Sequence, residues 1–147
     1  MRIGCNTLYP FGLLEQSAGF DFPAFQAALD KLAAVGYQCV EYSHCYHLDD
    51  KTAHKIGEYA RRQGLDNWSV HAEAPGGFVL GETCAEAAKA LQRCLEVCAA
   101  LRAKVVVVHV PFNLGLTLGE LPDIPALARL DLCALEQVLP LAEELGI

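Results

Sequence analysis

The sequence predicts an α/β chain of the (β/α)8 TIM-barrel type in which only the first four βα units are present, a half-barrel. Three observations lead there. Strand-like and helix-like patterns alternate four times at a spacing of about 30–43 residues, which calls for parallel strands joined by right-handed crossovers. Polar residues fall at or just past the C-terminal end of every predicted strand: Asn6 and Thr7, then Glu41, Ser43 and His44, then His71 and Glu73, then His109 with Asn113 beyond it. A barrel converges those ends on one mouth, whereas an open sheet concentrates them at a single crevice. The turn after the first strand, CNTLYPFG, lacks a dinucleotide-binding glycine fingerprint, and no Walker A sequence occurs.

The elements follow in order. Residues 2–6 form a short strand. Asp21 is placed to cap a helix with Pro23 in its first turn; Phe25, Leu29, Leu32 and Ala33 mark one face, and Gly36 ends it. The second strand covers 38–43, and a more polar helix runs from Asp50 to Gly64 with Ile56 and Ala60 inward. The third strand covers 67–72. A helix over 83–102 opens on a Thr83–Glu86 capping box and buries Ala87, Ala88, Leu91, Leu95 and Cys98. The fourth strand, KVVVVHV over 104–110, is continuously apolar, as a parallel strand covered on both faces should be. A Gly- and Pro-rich loop over 111–125 is long enough to act as a lid, or to be ordered only by the other half of a barrel. The last helix runs to about 145 and stops at Gly146; Pro140 should kink it or split it in two.

Composition narrows the function classes. The chain is 53% hydrophobic and 20% charged, within the globular range. No apolar run approaches a membrane span, and the N-terminus does not read as a secretory signal. Net charge is -7, with 11 Lys+Arg against 18 Asp+Glu, which speaks against a nucleic-acid partner. The densest basic pair, Arg61-Arg62, reads as a solvated helix face. Seven cysteines, an odd number with no CxxC pair, suggest free thiols and a reducing, cytoplasmic compartment. Cys94 and Cys98 share a helix face and read as small packing residues rather than metal ligands.

Residues 1–147 are therefore expected to be the N-terminal half of a barrel, truncated before strand five. Strands one and four would be open edges. The chain should dimerise through those edges, pair with a missing C-terminal half, or aggregate.

The strings AAVGYQCVEYSH, LDNWSVHAEAP, AKVVVVHVP and LPLAEELGI, in that order and spacing, resemble the xylose-isomerase-like TIM barrels. That superfamily includes sugar and sugar-phosphate isomerases and epimerases, hydroxypyruvate isomerase, inosose dehydratase and the endonuclease IV group. The resemblance covers essentially the whole chain, but only the N-terminal half of the family fold. It implies a divalent metal (Mn, Mg, Co or Zn) at the barrel mouth. In the isomerase and epimerase branch the ligands, a Glu, an Asp, a His and a second Glu, belong to strands five to eight. In the endonuclease IV branch, histidines ending strands three and four bind zinc, and those positions match His71 and His109.

Each candidate carries a second reading. His71 and His109 are metal ligands, contacts for a substrate hydroxyl, or histidines hydrogen-bonded inside the barrel. Glu41 should point inward with Cys39 and Ser43, either binding substrate or pairing with a cation from the missing half. Glu73 faces the mouth or stabilises its loop. Asn6 binds substrate or completes the hydrogen bonding of the barrel. His44 and His47 form an HxxH loop pair without a third ligand, and His54 is a solvated helix residue. Tyr9 and Phe11 are placed to wall a sugar pocket, while Trp68 reads as core packing near the inert face.

Together these readings point to a metal-dependent sugar or sugar-phosphate isomerase or epimerase working through an enediolate, inactive as an isolated fragment. Its catalytic carboxylates would lie beyond Ile147. The alternatives are a zinc-dependent apurinic-site nuclease and a non-catalytic half that acts only by assembly.

Overall fold

A computed structural model describes residues 2–7, 21–74, 80–109 and 124–147. Tyr9, Phe11, Asn113 and nearly all of the predicted lid loop lie outside the described residues. Strands and helices alternate: β1 (Gly4–Asn6), α1 (Phe22–Ala34), β2 (Cys39–Tyr42), α2 (Asp50–Arg62), β3 (Asp66–His71), α3 (Cys84–Leu101), β4 (Val105–Val107) and α4 (Ile124–Leu145). The strands form one parallel sheet in the order β1-β2-β3-β4. With four helices on one face and the other face concave, this is a half TIM barrel.

Local chemistry sets the helix ends. The Asp21 side chain accepts from the Ala24 N–H at 3.2 Å, and Asp49 accepts from Thr52 at 2.8 Å. Thr83 and Glu86 form the expected capping box. Gly36, Gly64 and Gly146 follow α1, α2 and α4 with φ of +94°, +81° and +71°, a region that costs other residues strain. Helix α3 ends instead on Arg102, a non-glycine residue at φ 56°.

The convex side of the sheet is the core. Val40, Tyr42 and Val70 are fully buried there against Phe25, Ile56 and Leu101. A second cluster joins α3 to α4 through Leu91, Leu95, Ala134 and Val138. Cys94 and Cys98 are fully buried packing residues. A polar clamp crosses this core: the Asn67 Nδ2 donates to the carbonyls of Gly57 (3.0 Å) and Leu101 (2.7 Å), and its Oδ1 accepts from the Tyr42 hydroxyl at 2.7 Å. All three groups lie away from water, where an unmade hydrogen bond is costly.

Two expectations are corrected, and of the two outcomes expected at Pro140 the split is ruled out. The cysteines are not all free: Cys84, at the start of α3, is disulfide-bonded to Cys133 on α4, with Cα atoms 5.8 Å apart. The two helices lie side by side, a proximity that a sequence separation of 49 conceals. The cysteine count therefore no longer argues for a reducing compartment. No described helix is long and apolar enough to cross a membrane. Helix α4 continues through Pro140 as one element rather than two. Trp68 is not packed in the core: it is 44% exposed, with the Lys104 ammonium 5.6 Å from its ring centroid.

Asp131 is buried on the packed face of α4, and neither carboxylate oxygen has a hydrogen-bond partner among the described residues. Burial raises its carboxyl above the usual aspartate value. The unfolded chain therefore releases this proton at lower pH than the folded one. The penalty on folding appears as pH rises past the unfolded value, is complete above the folded value, and vanishes in acid. Asp131→Asn should raise stability at pH 7 by about 1 kcal/mol. The gain should disappear in urea titrations run below the carboxylate range; an equal gain at all pH values would assign it to something other than charge.

Candidate functional site

Alternation along β2 buries Val40 and Tyr42 on the convex side and turns Glu41 to the concave side. Opposite it, β3 carries an irregularity: Val40 pairs with Asn67, but Glu41 pairs with Ser69. The extra residue is Trp68. This bulge lets Asn67 face the core while Trp68 and Ser69 both line the concave cavity. Asn6 of β1 pairs with Glu41, and His71 pairs with Val107 of β4.

The register assembles a continuous polar row. The Asn6 Nδ2 donates to Glu41 Oε1 at 2.6 Å, and the Ser69 hydroxyl donates to Oε2 at 2.7 Å. The His71 Nε2 lies 2.9 Å from Oε1, and its Nδ1 lies 3.2 Å from the His109 Nε2. The two imidazole centroids are 4.7 Å apart. At the other end, the Ser43 hydroxyl donates to Asn6 Oδ1 at 3.0 Å, and the Ser43 N–H donates to Thr7 Oγ1 at 3.0 Å. The row runs from β1 to just past β4 along the C-terminal ends of the strands, and β4 itself stops two residues before His109.

Burial pushes the Glu41 carboxyl up, but the hydrogen bonds from Ser69 and Asn6 and the neighbouring His71 outweigh it and hold the group below the ordinary glutamate range. An ionised Glu41 only accepts, so it assigns the proton to His71 Nε2. The lone pair of Nδ1 then faces His109.

The row borders a cavity of about 530 Å³ on the concave side, lined by Asn6, Glu41 and Ser69 together with Gly4, Cys39 and Trp68. A complete barrel fills this space with layers of side chains.

The donor set suits a metal in part. Two metal–nitrogen bonds of about 2.0–2.1 Å at a tetrahedral angle hold their nitrogens about 3.4 Å apart. His71 Nδ1 and His109 Nε2 stand at 3.2 Å, a spacing that also serves a hydrogen bond. A carboxylate on the far nitrogen, here Glu41, is the usual partner of a metal-binding histidine. Among the described residues no group of three or more such side chains could hold an ion. The described residues thus offer two of the about four ligands such a site needs.

Other candidates fall elsewhere. Glu73 is buried apart from the row: its Oε2 accepts from the His44 N–H at 2.8 Å and lies 3.1 Å from His44 Nδ1. This pair ties the end of β3 to the loop after β2, where His44 takes φ 56°. His47 lies edge-on to Tyr46, and burial, then the neighbouring His44, lowers its basicity. His54 is on α2, 3.8 Å from Glu58. Ser69 was not among the expected site residues, although its position two before His71 on one strand face is a sufficient signal.

No family model and no curated protein matches the sequence. Six solved chains match in structure. One is D-psicose 3-epimerase, crystallised in the presence of D-fructose, with a TM-score of 0.73 and 16% sequence identity. The alignment covers 100% of this chain and 50% of that one, so the chain spans about half the length of the epimerase. At this identity the likeness is one of fold, and the chain is an α/β protein with the fold of half a TIM barrel such as a sugar epimerase has.

Proposed function

We propose that this chain forms half of the active-site mouth of a metal-dependent sugar or sugar-phosphate isomerase or epimerase. The observation that carries the proposal is the row Asn6–Glu41–His71–His109 at the strand ends of a fold shared with a sugar epimerase. A polyhydroxylated substrate needs closely spaced donors and acceptors, and the row presents both. His71 Nδ1 and His109 Nε2 would hold a divalent cation, which when bound supplies Lewis-acid stabilisation of an enediolate. Glu41 fixes the tautomer and orientation of His71, while Asn6 and Ser69 hold Glu41. The acid and base carboxylates, like the remaining ligands, belong to strands outside this chain, as the family resemblance implies. The chain alone should not turn over a ketose.

A second reading, a zinc-dependent apurinic-site nuclease, draws on the same two facing imidazole nitrogens. The net charge of -7 weighs against it.

Cobalt(II) titration followed by visible absorption tests the metal role. We expect one ion per chain, bound at least about tenfold more weakly after His71→Ala or His109→Ala with the far-UV circular dichroism unchanged. Binding indifferent to both substitutions would remove the metal from this site. Several bound zinc ions in elemental analysis of a completed barrel would favour the nuclease. Histidine-dependent ketose epimerisation by the lone chain would refute the assembly requirement.

A further inference from the structure

We propose that the Cys84–Cys133 disulfide is a redox-sensitive staple: by holding α4 on α3 it governs the approach of His109 to His71. Its bearing on metal binding rests on the function proposed above. The cysteines divide by environment. Cys39, Cys45, Cys94 and Cys98 are free and buried. Burial pushes the Cys94 thiol up to about 11 and the Cys98 thiol up to about 12, so both are inert at neutral pH. Cys84 and Cys133 are part-exposed, within reach of a dithiol reductant in solution.

The surroundings of the bond set the direction of exchange. The Gln137 Nε2 donates to Cys84 Sγ at 2.9 Å and stands 3.8 Å from Cys133 Sγ. Cys84 is also the first residue of α3, where a helix favours negative charge. A reductant thiolate therefore attacks Cys133 Sγ, the S–S bond breaks, and Cys84 leaves as the thiolate and takes up a proton. The second thiolate of the reductant then attacks its own mixed-disulfide sulfur and releases Cys133, which is protonated in turn. The chain gains two electrons and two thiols, and the dithiol becomes a disulfide.

The docking of α4 depends on this link. Asp131, two residues before Cys133, is buried with neither carboxylate oxygen partnered among the described residues. A buried carboxylate without partners opposes docking. Against it stand Ala134 and Val138, the buried apolar residues of α4 among those described, while Leu132 and Leu139 are exposed. Cutting the staple tips this balance. The effect reaches the site through β4, whose Val106 packs, with Val108 just beyond it, against the cluster that joins α3 to α4. The ladder to β3 reaches Val107, whose carbonyl accepts from the Ala72 N–H at 2.9 Å. His109 lies two residues further on, so the packing of Val108 helps to hold its Nε2 3.2 Å from His71 Nδ1.

Hydrogen exchange and nitrogen-15 histidine spectra of the full chain, oxidised and then reduced by dithiothreitol without denaturant, test this; neither needs a metal. On reduction we expect two additional reactive thiols per chain, α4 amides that exchange at least about tenfold faster, and displaced His109 ring signals. Cys84→Ser with Cys133→Ser should reproduce the reduced chain and ignore the reductant. Having no thiol pair to bind cobalt(II), that variant should bind the ion at the site at least about fivefold more weakly than the oxidised chain. Asp131→Asn should slow α4 exchange in the reduced chain about fivefold. A disulfide that resists dithiothreitol, α4 exchange or His109 signals unchanged by reduction, or a response that persists in the double variant would overturn the proposal. So would equal cobalt(II) affinity in the oxidised chain and the double variant, or α4 exchange indifferent to Asp131→Asn. Cobalt(II) bound by neither form, with the His109 signals still moving on reduction, would refute the metal reading and support the staple.

Discussion

Gly57→Ala should destabilise the chain by about 3 kcal/mol or more, enough to abolish folding in a domain of ordinary stability. Intrinsic propensity argues the opposite sign, because alanine is better than glycine inside a helix by about 0.8–1.0 kcal/mol. Packing decides the outcome. A Cβ on Gly57 would stand 2.3 Å from the Leu101 carbonyl oxygen and 2.9 Å from its carbon, both backbone atoms. No rotamer relieves such a contact; α2 must move away from the end of α3. That movement also breaks the Asn67 clamp, whose amide spans the Gly57 and Leu101 carbonyls. Asn67→Ala should cost less, about 1–3 kcal/mol, by leaving buried groups unpaired without a steric clash. Urea denaturation at neutral pH gives both values. A Gly57→Ala midpoint equal to or above that of the unaltered chain would mean that the helices are not in this contact.

Where local chemistry decided the structure, the sequence was readable. Asp21, Thr83 and the glycines after α1, α2 and α4 mark helix ends because capping and left-handed backbone are properties of a few adjacent residues. Glu41 turned inward because β2 alternates without interruption. What escaped was set at long range. The bulge at Trp68 arises from the pairing of β3 with β2, so simple alternation could not assign Trp68 and Ser69 to one side. Cys84 and Cys133 meet only because α3 and α4 lie together. Arg102 ends α3 where a glycine would be expected, and Gly57 showed no sign of its close contact, since a helix-interior glycine looks alike whether packed or exposed. The site divides in the same way. His71 and His109 were visible as strand-end residues, but the 3.2 Å approach of their ring nitrogens depends on the register that sets His71 beside Val107, two residues before His109. Glu73, two residues beyond His71, looked equivalent to it; the end of the strand at His71 frees the following backbone to carry Glu73 to His44 instead.

Glu41 is the residue on which the row depends, and its replacement should have the largest effect on ligand binding. Its two oxygens accept from Asn6, Ser69 and His71, three donors on two neighbouring strands. Glu41→Ala leaves all three without that acceptor and releases the His71 ring from the tautomer that directs Nδ1 toward His109. Divalent-metal affinity should fall about 10–100-fold, the usual consequence of losing the carboxylate behind a metal-binding histidine. Glu41→Gln discriminates charge from shape. Its amide oxygen can still accept from Asn6 and His71, while its NH2 can donate to the Ser69 hydroxyl, so the geometry survives without the negative charge. If charge fixes the tautomer, Glu41→Gln should lose most of the affinity with little loss of stability. If shape alone matters, it should bind metal as the unaltered chain does. Nitrogen-15 chemical shifts of the His71 ring report the tautomer directly, and Ser69→Ala, which removes one neutral donor and leaves the His71 contact intact, serves as the control. A His71 ring with its proton on Nδ1 in the unaltered chain would reverse the direction of the contact with His109. The metal-facing role assigned to Nδ1 could not then stand.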